Sequence, residues 1–451
     1  MAAFLLLILM LSSCKIKQES QKVIRLEYDK VVIRQISNSE DYSNIIGDAI
    51  KMAEKNHIDT IYFAPGYYPV KEPIQPKEGV VMIGRSSKEV IIEQLTWGHP
   101  AFDVLDADHV TIANMTMVSD QHRAYPNGFV SRGTDGFVNN AGIYSNSSFG
   151  HFEHLNISGY TCGVFLSSWN GSGLYEQKVE NVISDIVVST VDFGVLATGQ
   201  KNLTINGLRG SYTQSQGSGA SPHLIYISDS TDPGYVWSED INITNCHAEN
   251  SPLGIAFQIG SVTEGHVSSL TAIACNGLLA LKRVNHIEFD SLVALQDNSP
   301  EAGSLFIQPE KVENLIFNYV RIESTNPKAR LIRLDGKNNR FQNVHIISAS
   351  DTLNDIGLIT VEGEHNVLTD IHISSRRPGT GGLGVRLQGV ENELDQLECT
   401  ACFIGYSIME DCVSCKVTTD ETKVCYPGAT GRAAPNYNYS KTSQRVNVRK
   451  H

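Results

Sequence analysis

The chain has 451 residues, 41% hydrophobic and 19% charged, with 37 Gly against 15 Pro, a composition that buries a large core and excludes intrinsic disorder. Its formal net charge of -13 excludes nucleic acid as a partner, since phosphate binding needs a concentrated basic face and no Lys/Arg cluster supplies one. A global sign does not describe a local groove, so an anionic glycan stays open.

Met1 to Met10 is almost wholly apolar and runs into Leu11-Ser12-Ser13-Cys14, followed by the polar stretch Lys15 to Ser20. A stable transmembrane helix needs about 20 residues, so this shorter stretch reads as a signal h-region. Leu-Ser-Ser-Cys resembles the bacterial lipobox, which implies acylation of Cys14, a cell-envelope location facing periplasm or exterior, and membrane contact through the lipid anchor alone. Residues 15–38 read as a tether and lead-in, 39–425 as the folded domain and 426–451 as an irregular tail.

Asp41 to Ala53 has helical apolar spacing. It leads into Ile61-Tyr62-Phe63-Ala64-Pro65-Gly66-Tyr67-Tyr68-Pro69-Val70, then Gly79-Val80-Val81-Met82-Ile83-Gly84: strand, turn, strand. Beyond it a short strand pattern recurs, starting at Val110, Leu155, Val182, Leu203, Ile241, Val267, Ile287, Leu315, Phe341, Val367 and Leu394. The last six intervals are 26, 20, 28, 26, 26 and 27 residues. A second strand in each repeat is often introduced by Gly, as in Gly142-Ile143-Tyr144, Gly163-Val164-Phe165, Gly194-Val195-Leu196 and Gly254-Ile255-Ala256. Period-2 alternation in such short strands buries one side chain in two, and stacked coils pair each backbone N–H with a neighbour. The repeat predicts an all-β solenoid. A leucine-rich repeat shares the period, but the returns are rich in Asn, Ser, Asp and Gly rather than helical.

The helix and the Pro-Gly-x-Tyr step resemble the N-terminal cap of the pectate-lyase-like superfamily. That resemblance implies a right-handed, single-stranded parallel β-helix with a capping helix, in a group that includes polysaccharide lyases, polygalacturonase-type hydrolases, epimerases and phage tailspikes.

Two intervals are anomalous: 45 residues from Val110 to Leu155 and 38 from Leu203 to Ile241. Long insertions in a regular solenoid build its binding face. They and the loop between them hold the candidate substrate-binding residues Arg132, Asp135, Tyr144, Trp169, Tyr175, Glu176, Asp232 and Trp237, aromatic faces being what sugar C–H surfaces stack on. Within this region Pro222-His223-Leu224-Ile225-Tyr226-Ile227-Ser228 looks like the Gly-His-Gly-x-Ser-x-Gly-Ser strand of polygalacturonases. The preceding coil, Asp192-Phe193-Gly194-Val195-Leu196-Ala197, stands where that family has Asp-Asp-Cys-x-Ala. His223 and Asp192 match family positions, whereas Phe193, Ala256 and Gln258 replace the second Asp, the Arg and the Lys. The candidate catalytic set is His223, Asp192, Tyr226 and Asp229, with His223 expected at a corner, entering the groove with little packing.

An inverting hydrolase needs one carboxylic acid for the leaving oxygen and a second carboxylate to activate water, which Asp135, Asp229, Asp232 or Glu176 would complete. A lyase needs a base for the C5 proton of a uronic acid and a cation, Arg132, Arg123 or Ca²⁺, to neutralise the carboxylate. Hydrolysis of polysaccharide is placed first, elimination or epimerisation second and non-catalytic glycan binding third.

Cys399-Thr400-Ala401-Cys402 and Cys412-Val413-Ser414-Cys415 form two Cys-x-x-Cys pairs. In an exported protein, disulfides between adjacent last coils are favoured over a structural zinc site on Cys399, Cys402, Cys412 and Cys415. Cys162, Cys246 and Cys275 read as buried thiols.

Overall fold

In a computed structural model, the structure describes residues 23–35, 39–120, 140–169, 174–189, 192–211, 223–228, 234–251, 254–299, 303–308, 311–326, 330–349, 357–375, 381–399, 402–409 and 412–419. Apart from an antiparallel hairpin between Ile24–Leu26 and Val31–Ile33, the named strands pair in parallel with strands of the neighbouring coil. Such pairing coil upon coil is a parallel β-helix, right-handed as parallel crossovers are. The hairpin lies within the segment read as lead-in, and its second strand opens the first ladder by pairing with Thr60–Phe63.

Three ladders run the length of the solenoid, and a narrower fourth joins Lys178–Val179 to Gln200–Lys201 and continues as single bridges to Val413. The first runs from Val31–Ile33 through His151–Glu153 and Thr204–Asn206 to Lys416–Thr418. The second runs from Gly66–Val70 through Asn156–Ser158 to the end of Glu393–Cys399. The third, Phe102–Val104, Ala141–Ser145, Cys162–Leu166, Phe193–Ala197 and His223–Ile227, continues into Phe257–Ser268 and on to Cys402–Ile408. The strand beginning at Leu155 is therefore a second-ladder strand, and its coil's first-ladder residue is Phe152, opposite Ile112. Period-2 apolar triplets look alike on every ladder, which is why Leu155 entered the wrong series.

Alternation fills the interior, and in the first ladder Phe289, Phe317 and Phe341 stack face to face at 4.6 and 4.1 Å. The corner between first and second ladders needs one residue at positive φ in many coils, supplied by Asn114, His154, Asp185, Asn245, Asn343 and Asp370. Elsewhere Asn side chains replace missing ladder bonds. Asn366 Oδ1 accepts from Asn339 N–H at 3.1 Å, and Asn392 Oδ1 accepts from Asn366 N–H at 2.9 Å, all three being fully buried. The helix α1, Ser43–Lys55, buries Ile46, Ala49, Ile50 and Ala53 against strands Val31–Ile33 and Thr60–Phe63, covering the first coil.

The glycines at the second position of third-ladder strands serve close approach. A Cβ on Gly163 would stand 2.5 Å from the Gly194 carbonyl oxygen, and one on Gly194 2.5 Å from that of Leu224. Gly254-Ile255-Ala256 departs from the expected pattern, since the strand starts only at Phe257.

At the C-terminal coils Cys412 and Cys415 form a disulfide with each other. For this pair the bridge lies within one turn, a correction of the inter-coil bridges expected, because a Cys-x-x-Cys turn brings its own sulfurs together first. Both sulfurs are thereby occupied, so a four-cysteine zinc site including them does not fit. Cys399 is buried in the core, and Cys402 begins the strand Cys402–Ile408. Cys162, Cys246 and Cys275 are each 1% exposed; burial pushes Cys246 up to about 12 and Cys275 up to about 11, so both stay protonated thiols.

Candidate active site

Within the two long intervals, residues 121–139 and 212–222 lie outside the described residues, and each of these stretches is followed in the chain by a third-ladder strand, Ala141–Ser145 and His223–Ile227. Along these strands Val164, Val195, Ile225 and Ile227 point into the solenoid. The residues between them, Asp103, Tyr144, Phe165, Leu196, Tyr226 and Gln258, are register partners on successive coils and form one column on the outer face. An outer face would ordinarily be polar, yet Ala141, Tyr144, Cys162, Phe165, Phe193 and Leu196 are buried there as a second apolar cluster, with Tyr226 packed against it.

His223 stands in this cluster. It is 6% exposed, its ring centroid 5.9 Å from Phe193 and 5.3 Å from Tyr226. This corrects the expectation of a projecting corner side chain: the register puts His223 opposite Phe193, and the aromatic cluster closes over it. Its Nδ1 lies 2.6 Å from the carbonyl oxygen of Ile255, which only accepts, so Nδ1 carries the proton and Nε2 keeps its lone pair. Burial pulls the imidazole down to about 4, against the hydrogen bond from Nδ1, leaving it neutral at ordinary pH.

Asp192 is 2% exposed and sits one coil away, where its carbonyl accepts from His223 N–H at 2.9 Å. After burial itself, the Asp192 charge helps hold the Cys162 thiol protonated, which puts that carboxylate beside the second apolar cluster. Tyr226 is half-buried, with its ring 5.7 Å from Phe193. Tyr144 packs on Phe165 at 5.4 Å; burial raises its phenol, opposed by a hydrogen bond to Ser167.

The other predicted residues gather at the far end of the same strands, about 13 Å away by strand rise. Trp169 bridges to Tyr175, and Tyr175 meets Tyr235 edge-on at 5.3 Å. Tyr235 donates to the Ser228 carbonyl at 2.6 Å, and the Trp237 carbonyl accepts from Gln177 Nε2 at 3.2 Å. Glu176 lies 3.6 Å from Lys178. The structure thus separates the predicted set into a His223–Tyr226–Asp192 group and a Trp169–Tyr175–Trp237 group. Asp103 and Tyr235 were missed; an aromatic inside an insertion is a readable signal for Tyr235, whereas Asp103 is found only by register. Arg123, Arg132, Asp135, Asp229 and Asp232 lie outside the described residues.

No protein-family model matches the chain, and no curated protein matches it. Among solved structures it is similar to the A-module of a mannuronan C-5 epimerase from Azotobacter vinelandii, at 13% identity over 82% of this chain and 90% of that one, TM-score 0.45. It is also similar to the catalytic domain of a GH87 alpha-1,3-glucanase in complex with tetrasaccharides, at 11% identity over 93% and 69%, TM-score 0.43. A third is DFA-IIIase from Arthrobacter chlorophenolicus A6 in complex with GF2, at 10% identity over 86% and 94%, TM-score 0.38. The fold assignment rests on the ladders described above.

Proposed function

We propose that the protein is a polysaccharide-cleaving enzyme working across the outer face of the third ladder, and that its reaction is β-elimination from a uronic acid residue. The observation that carries this reading is the fixed tautomer of His223, a neutral imidazole with Nδ1–H committed to Ile255 and Nε2 free of a proton. Such a nitrogen suits removal of the C5 proton. The electron pair left behind forms the C4–C5 double bond, the C4–O bond breaks, and the departing oxygen takes a proton, for which the Tyr226 phenol on the same strand, its ring 5.3 Å from that of His223, is the described candidate. Hydrolysis, placed first from the sequence, asks for two carboxyl groups. At the positions resembling polygalacturonase the chain offers Asp192, while Phe193 is spent on the aromatic cluster.

Elimination also needs a cation at the substrate carboxylate. Arg132 would serve; among the described residues no group of three or more acidic, His or Cys residues is placed to hold a Ca²⁺ ion.

The test is incubation with carboxylated plant and marine polysaccharides. Ultraviolet absorbance from an unsaturated uronide is expected, with Asp192→Asn active. New reducing ends without that absorbance, together with an inactive Asp192→Asn, would return the reading to hydrolysis; binding without product would make the protein a lectin-like module.

We further propose that Cys14 is acylated and that this anchor alone holds the protein at the membrane. Among the described residues no helix is long and apolar enough to cross one. Cys14→Ser is expected to move the protein from the membrane pellet to the soluble fraction with its melting temperature unchanged. A variant that still pellets would refute the anchor.

A further inference from the structure

Beyond Gln258 the outer column of the third ladder continues through Ala280, Phe306, Arg333, Thr360, Arg386 and Ser407. Two of these are cations in a chain of net charge -13, and they are held very differently. Arg333 lies over the Phe306 ring at 5.4 Å and is neutralised, with Nη2 2.9 Å from Glu362 and 3.6 Å from Asp335. Among the described residues Arg386 has no such partner. Its Nε is buried with no hydrogen bond, and no described carboxylate pairs with its guanidinium. The backbone makes room for its stem: a Cβ on Gly357, at φ +87°, would stand 3.1 Å from Arg386 Cβ.

Desolvating part of a guanidinium without an acceptor is costly, and the cost is recovered when an anion arrives. The planar fork fits a two-oxygen face of a carboxylate or a sulfate better than any neutral hydroxyl. The column places Arg386 six coils from Tyr226, about 29 Å at strand spacing. We propose that Arg386 anchors an anion-binding subsite at the far end of this outer face, taking a carboxylate or sulfate group of a long glycan whose reacting residue lies near His223. The proposal rests on the reading that a glycan lies along this face, and it assigns that glycan charge well away from the reacting bond.

The test uses the full chain and measures binding rather than turnover, by calorimetry against polygalacturonate, alginate, a sulfated galactan and a neutral glucan. Wild type is expected to bind a carboxylated or sulfated polymer with an affinity that falls as salt is raised. Arg386→Gln should weaken that binding about 10- to 100-fold, Arg386→Lys should restore part of it, and the exposed Arg340→Gln on another ladder should change nothing. The carboxylated and sulfated polymers separate the two sources of the anion. Wild type that binds no anionic polymer, or Arg386→Gln that binds as wild type does, overturns the proposal. Binding through Arg386 with no product would leave the subsite standing and remove the lyase reading; turnover indifferent to Arg386→Gln, with binding also unchanged, would do the reverse.

Discussion

Replacing His223 by Gln is expected to lower turnover by about 10²- to 10⁴-fold, the usual contribution of a positioned proton-transfer group. Gln is the informative substitution because its amide can still donate to the Ile255 carbonyl, whereas Ala would leave that oxygen unpaired and open a cavity beside Phe193 and Tyr226. Loss of activity on Ala could then be loss of fold. The pH profile adds a second readout. Since the imidazole titrates at about 4 when folded, the acid limb of kcat/KM should lie near 4 instead of near 6.5. The stability sign follows from linkage: the unfolded chain binds the proton more readily, so the folded state loses about 3 kcal/mol as pH falls from about 6.5 to about 4. That contribution is fully present above 6.5, and His223→Gln should lack this part of the slope. Full activity in His223→Gln, measured on a substrate that wild type cleaves, would remove the catalytic centre from these coils.

Asn366→Ala should be the most destabilising single change outside the apolar core, at about 3–6 kcal/mol. Its Oδ1 accepts from both the N–H and the Nδ2 of Asn339, and its Nδ2 donates to the Gly336 carbonyl and to Asn392 Oδ1. Truncation strands several of these buried groups at once, each costing about 1–3 kcal/mol. Denaturant titration measures the loss, and hydrogen exchange should show it concentrated in the coils carrying Asn339, Asn366 and Asn392. A change within about 0.5 kcal/mol would mean that water replaces the amide and that the asparagine stack does not hold these coils together.

The contrast between these residues shows what the sequence can and cannot convey. The cap was legible to within two residues because amphipathic spacing from Asp41 to Ala53 is a local signal, and the helix runs Ser43–Lys55. The Ile225/Ile227 inward and Tyr226 outward register was legible for the same reason, strand alternation being fixed by the backbone. The environment of His223 was not. Whether an outward side chain meets solvent or a second apolar layer depends on Phe165, Phe193 and Leu196, which are neighbours only after coils of 31 and 30 residues have closed. Arg386 was hidden likewise, since the absence of a partner for its Nε among the described residues shows only once the coils are stacked.

Strand spacing graduates the outer column of the third ladder like a ruler, with one side chain about every 4.8 Å, and alternation sets each mark on the opposite face from the aliphatic core behind it. A substitution at Gln258, Phe306 or Arg386 therefore changes one outward mark on one coil without touching the aliphatic residues that keep the marks in line.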